Sequence, residues 1–195
     1  VWKMEESLEV LLALLPDVRR VFCEQELHRF VSERRKMEWL SVRVLLYSML
    51  QEDKEIGYSL EGKPYLTDHS FFISISHTKG YVAVMLASFT PAGIDIEQYA
   101  QRVHKGSERY IRLDEQVEPY QGDVTWGLLL HWSAKEAVFK RMENADADLR
   151  KLRLTHFIPQ EQGTFQVQEL ATEQQELYSV GYRICPDFVL TWTLN

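Results

Sequence analysis

The sequence predicts an α+β fold built from two related halves, and three observations carry that prediction. Two long helical patterns, 33–51 and 124–142, are each followed by short runs with strand periodicity. Turn residues such as Gly62-Lys63-Pro64, Thr78-Lys79-Gly80 and Pro186 separate those runs. No linker is long enough to part independent domains. The prediction is a pseudo-twofold pair of subdomains, residues 1–91 and 92–195, each a long helix packed on a small, mostly antiparallel sheet.

Residues 4–15 read as a short amphipathic helix stopped by Pro16, and 24–31 as a weaker one. Ser32 stands as the cap of the helix over 33–51, in which Met37, Leu40, Val44, Leu45 and Met49 keep near-helical spacing. The runs 71–77 and 81–88 are close enough to form a hairpin, and 92–97 follows as a strand. Residues 98–123 are polar and predict a loop carrying a short helix. After the 124–142 helix, strands are expected over 151–158, 164–170, 176–184 and 187–194.

The 195 residues are 45% hydrophobic and carry a net charge of −7. That apolar fraction supports a core, and the acidic balance argues against general nucleic-acid binding. Cys23 and Cys185 lie far apart without metal-type spacing, as expected of a reducing compartment. No apolar run reaches membrane-spanning length and no leader pattern opens the chain, so a cytoplasmic protein is expected.

Chemistry concentrates in Asp95-Ile96-Glu97 and, some forty residues on, Trp132-Ser133-Ala134-Lys135-Glu136 with Lys140. Residues two apart in a strand share a face at roughly 7 Å. Asp95 and Glu97 thus aim two carboxylates at one spot, while Ile94 and Ile96 face a core. Glu136 and Lys140 share one helix face. Three carboxylates with a lysine resemble a magnesium site for a phosphate-bearing substrate. Each part also has a plainer reading: a sheet edge in water, a helix-stabilising Glu–Lys pair, a capping box at Ser133. His77 between Ser76 and Thr78 suits a phosphate cradle or a structural turn. Lys63 reads as a phosphate clamp or a solvated turn lysine. Arg34, Arg35 and Lys36 read as exposed helix charges, with Arg43 more embedded.

Taken in order, Gly62-Lys63-Pro64, Ser74-Ile75-Ser76-His77-Thr78, Gly93-Ile94-Asp95-Ile96-Glu97 and Trp132-Ser133-Ala134-Lys135-Glu136…Lys140 resemble the 4'-phosphopantetheinyl transferase superfamily. The match is to its long, surfactin-synthetase-activating type, whose Arg-rich first-half helix the stretch 34–43 also resembles. Ser74 departs from the Asn often found there. The resemblance implies magnesium-dependent transfer of the phosphopantetheine arm of coenzyme A to a serine of an apo acyl or peptidyl carrier protein, as in a holo-[acyl-carrier-protein] synthase of fatty-acid or polyketide assembly. The other product is 3',5'-ADP. It implies Asp95, Glu97 and Glu136 as metal ligands, Glu97 or Glu136 as general base and Lys140 as catalytic lysine. Ser76 and His77 are implied at the 3'-phosphate of coenzyme A, with Lys63 and Arg43 as further substrate-binding residues. The rival readings are a non-catalytic carrier- or coenzyme A-binding module and a magnesium-dependent nuclease.

Arg102, Lys105, Arg109 and Arg112 are spaced to project from one side if 101–113 is helical, an expected dock for an acidic carrier. Two halves in one chain predict a monomer.

Overall fold

The computed structural model describes residues 1–142 and 148–194. In chain order the elements are β1 (Trp2–Lys3), α1 (Leu8–Ala13), α2 (Asp17–Leu27), α3 (Glu33–Leu50), β2 (Ile56–Tyr58), β3 (Pro64–Leu66), β4 (Phe72–Thr78), β5 (Tyr81–Ala87), β6 (Ile94–Gln98), α4 (Val124–Arg141), β7 (Leu152–Leu154), β8 (Gln162–Glu169), β9 (Leu177–Ile184) and β10 (Phe188–Thr193). The fold is α+β with antiparallel sheets. β1, β5 and β4 form one sheet, β6-β10-β9-β8-β7 a second, and β2 and β3 a small ribbon.

α3 begins where a Ser cap allows it: the Ser32 side chain accepts from the Arg35 amide. The helix is buried on two sides. Leu40 and Val44 pack with Leu11, Leu15, Cys23 and Leu27 of α1 and α2, while Val42, Leu45 and Leu46 meet Ile73, Val82 and Val84 of the first sheet. α4 starts at Asp123, whose carboxylate accepts from the Thr125 amide. Its Leu129, Leu130, Ala134 and Val138 bury against Phe165, Val167, Val180 and Val189 of the five-stranded sheet. A further cluster joins the two sheets: Tyr81 and Ala83 of β5 meet Ile94 and Ile96 of β6, with Phe188, Leu190 and Trp192 of β10 beside them.

Several expectations need correction. The first helix is only Leu8–Ala13, because Ser7 caps it late and Trp2–Lys3 instead pairs with β5. The second helix starts at Asp17, directly after Pro16, and ends at Leu27. Proline's fixed φ suits a helix start, so Pro16 opens a helix as well as following one. β7 is shorter than the strand expected over 151–158. Residues 101–113 form no α-helix. Two 3-10 turns, Gln101–His104 and Ser107–Arg109, are parted by Gly106 at φ +82°, a left-handed conformation that ends helical continuity. Among the described residues the two halves share a helix on antiparallel strands but not a strand plan: a three-stranded sheet, a two-stranded ribbon and two extra helices on one side, one five-stranded sheet on the other.

Candidate active site at the seam between the sheets

The site is where β4, β6 and α4 meet. β6 pairs with β10 through one edge, with Asp95 opposite Thr191 and Glu97 opposite Val189. Its other edge is satisfied by side chains. The hydroxyls of Ser74, Ser76 and Thr78 on β4 accept from the amides of Ile94 (3.0 Å), Ile96 (3.3 Å) and Gln98 (3.1 Å). Their spacing of two is the period of a strand face, so the whole edge is covered in step.

α4 is drawn onto the start of β6 by Gly93. A Cβ there would lie 1.9 Å from the Ala137 carbonyl oxygen, so only glycine permits the approach. Ser133 and Thr191 hydroxyls, 2.9 Å apart, pin the helix to β10. Trp132, Glu136 and Lys140, at four-residue spacing, thereby face β6. The Lys140 ammonium sits 2.7 Å from Asp95 Oδ1 and 3.1 Å from the Ile94 carbonyl. Ser76 Oγ donates to the same Asp95 oxygen at 2.8 Å. The second oxygen, Oδ2, is buried with no hydrogen-bond partner. Trp132 Nε1 donates to Glu97 Oε1 at 2.9 Å.

The three carboxylates share one electrostatic environment. Burial, then the negative charge of Asp95, pushes Glu97 up to about 6; the Trp132 bond and the positive charges of Arg102 and Lys140 resist. Burial and Asp95 also raise Glu136, against Lys140. Among the described residues no three His, Cys, Asp or Glu side chains are grouped closely enough to hold a metal. The donor chemistry nevertheless suits a hard cation: all three candidate side chains are carboxylates, and the Asp95 oxygen left bare inside the protein has lone pairs to offer.

A second charged group adjoins. Glu38, buried on α3, accepts from Arg34 (2.7 Å) and Arg35 (2.8 Å) and lies 3.5 Å from His77 Nδ1. Burial raises its pKa, but the two arginines and His77 outweigh burial and lower it. Arg35 also contacts His77 Nε2 at 3.1 Å. A guanidinium only donates, so Nε2 accepts and the ring proton stays on Nδ1, toward Glu38. Burial lowers the His77 pKa, Glu38 pulls it up, and Arg35, Arg34 and Lys140 push it down again. With the net shift downward, the His77–Glu38 approach holds a neutral imidazole near neutral pH.

The other anticipated residues divide. Ser76 is buried and spends its hydroxyl between Asp95 and the Ile96 amide. Lys63 reaches across to the Met142 carbonyl at the end of α4, a favourable place for a cation. Arg43 is engaged by Trp39: its guanidinium stacks 3.5 Å over the ring and donates to the Trp39 carbonyl. Arg102, Lys105 and Arg109 are exposed, but Arg112 is drawn into the fold by Asp114 and the Arg150 carbonyl. Sequence reasoning missed Glu38, Arg34, Arg35 and the indole of Trp132. The first three carried a signal, since residues 34, 35 and 38 lie on adjacent helical positions.

No curated protein sequence matches the chain significantly. The family model described as the 4'-phosphopantetheinyl transferase superfamily matches residues 91–193, a stretch that takes in β6, α4 and the five-stranded sheet. With just over half of its 195 residues matched, and the Asp95–Lys140 centre inside the matched part, the chain belongs to the 4'-phosphopantetheinyl transferase superfamily, whose members move phosphopantetheine from coenzyme A onto carrier proteins.

Proposed function

We propose that this is a magnesium-dependent phosphopantetheinyl transferase of the long, two-half type. It attaches the arm of coenzyme A to the acceptor serine of an apo acyl or peptidyl carrier protein and releases 3',5'-ADP. The observation that supports this reading best is Asp95, with one oxygen held by Lys140 and Ser76, the other bare, and a negative charge that both Glu97 and Glu136 feel.

Asp95, Glu97 and Glu136 would hold the cation. Bound there, magnesium supplies charge neutralisation for the pyrophosphate of coenzyme A. The protein's own groups do the rest. Glu97, with its pKa raised to about 6, is a carboxylate able to take the proton of the attacking serine near neutral pH, and Glu136 is the alternative base. Lys140, beside Asp95, would offset the growing charge on the leaving phosphate. Attack of the serine oxygen on the β-phosphorus breaks the bond to the bridging oxygen, which leaves with 3',5'-ADP. Phosphoryl chemistry of this kind needs positioning and charge more than covalent help from the protein.

Arg34 and Arg35, held by Glu38 beside neutral His77, supply the donors of a rim suited to the 3'-phosphate of coenzyme A. Lys63, at the end of α4, adds positive charge to the same seam. Exposed Arg102, Lys105 and Arg109 present a basic surface to an acidic carrier, with Arg102 close enough to influence Glu97. Incubation with coenzyme A, magnesium and an apo carrier, followed by weighing the carrier, tests the proposal. The expected result is a gain of one phosphopantetheine arm, lost in Asp95→Ala and Glu136→Ala. An unmodified carrier across acyl and peptidyl types would refute it.

A further inference from the structure

We infer that Ser76 is a positioning residue for the metal-binding face of Asp95. The inference rests on the metal reading above and adds a role for a side chain outside the carboxylate set. A hydroxyl has one proton to give. Ser76 Oγ accepts from the Ile96 amide at 3.3 Å, so a backbone bond fixes the oxygen in place. Its proton then points to Asp95 Oδ1, 2.8 Å away. Lys140 donates to that same oxygen at 2.7 Å. Two donors on Oδ1 and none on Oδ2 lock the carboxylate in one rotamer, and the bare oxygen is the one left to meet a cation. Ser76 is buried on β4 and turned into the seam, whereas His77, the next residue, faces α3.

The seam supplies its own control. Ser74 makes the same hydroxyl-to-amide bond, to Ile94 at 3.0 Å, and no bond to a carboxylate is among its contacts. Loss of either hydroxyl removes a similar share of seam stability. Loss of Ser76 alone releases Asp95.

The test measures Mn²⁺ binding to the full chain by calorimetry, with coenzyme A affinity measured separately without metal. Wild type, Ser76→Ala, Ser76→Cys, Ser76→Thr and Ser74→Ala are compared. Outer partners of a ligand typically set metal affinity by about 10–100-fold, so Ser76→Ala should bind Mn²⁺ at least about tenfold more weakly. Ser76→Cys, nearly the same size but a poor donor, should also weaken binding, and it serves should Ser76→Ala fail to fold. Ser76→Thr should restore the metal. Ser74→Ala should lower Tm much as Ser76→Ala does yet bind Mn²⁺ like wild type. Equal Mn²⁺ affinity in wild type, Ser76→Ala and Ser76→Cys overturns the role. So does a loss confined to coenzyme A, which would make Ser76 a substrate contact. A wild-type chain that binds no Mn²⁺ overturns the metal reading itself, and this role with it.

Discussion

Helix α4 carries two lysines five residues apart, each paired with one carboxylate at 2.7 Å, and the two pairs are built for different ends. The side chains of Lys135 and Glu115 are both 0% exposed, and each of their charged atoms has a partner. The ammonium donates to Glu115 and the Tyr110 carbonyl, while Glu115 also accepts from the amides of Arg112 and Leu154. Lys140 is 26% exposed, and its partner Asp95 keeps a bare oxygen while its charge helps raise the pKa of two further carboxylates, Glu97 and Glu136. A sealed pair with every atom satisfied holds the 110–115 segment to the helix. An open pair with unspent valence, inside a charged group, is where chemistry can enter.

The widest gap between the two should appear on breaking the sealed one. Lys135→Met leaves Glu115 buried without its counter-charge and should cost about 3–5 kcal/mol, read by urea denaturation. Adding Glu115→Gln should return part of that loss, because the amide keeps an acceptor for a backbone N–H and sheds the charge. A loss under about 1 kcal/mol for Lys135→Met would erase the contrast. Lys140→Ala should do the opposite. We expect kcat to fall by about 10²–10³, the range for losing one donor to developing charge, with the urea midpoint little changed.

Gly93→Ala attacks the approach of α4 to β6. With backbone on both sides of the clash, an overpacking cost of about 1–3 kcal/mol is expected. Activity should suffer beyond what unfolding explains, because Lys140 moves away from Asp95 while Lys135 keeps its partners. Activity that tracks the folded fraction alone would remove this link.

The last test is pH. Glu97 is raised from 4.5 to about 6, so its folded form holds a proton more tightly than the unfolded chain does. The stabilisation it contributes when protonated is complete below 4.5 and is lost as pH rises through about 6. Glu97→Gln should therefore raise stability at pH 8 by up to about 2 kcal/mol and leave it nearly unchanged at pH 4.5. Paired melts at the two pH values check this, and an equal effect at both would disprove the raised pKa. Magnesium should stabilise wild type more at pH 8 than at pH 5, since a protonated carboxylate is a poor ligand.

Both long helices were legible in the sequence because each repeats apolar residues over 18 positions and begins at a capping side chain. The β4–β5 hairpin was legible from the short Thr78-Lys79-Gly80 connection, of which the structure draws Thr78 into the strand. The strand reading of Asp95-Ile96-Glu97 rested on alternation alone, and Ile94 and Ile96 are buried as that alternation requires. What escaped was long-range. Lys135 read as one more charge in a motif, since nothing local marks Glu115, twenty residues earlier, as its partner. Ser76 and Thr78 looked like turn hydroxyls near a phosphate and Ser74 like a departure from an expected Asn, and only the approach of β6 shows which amides all three serve. Arg34 and Arg35 read as solvated charges, although both converge on Glu38. The helical arrangement expected of Arg102, Lys105, Arg109 and Arg112 failed for a local reason: the spacing was taken across Gly106, where the chain turns left-handed.

The hydroxyl seam has one more consequence. Main-chain hydrogen bonds are common to every sequence, so an ordinary ladder between two strands offers mutation little to grip. Where β4 meets β6, each bond belongs to one removable oxygen. Natural variation can therefore tighten or slacken the joint between the sheets one atom at a time, and with it the fit around whatever substrate the joint encloses.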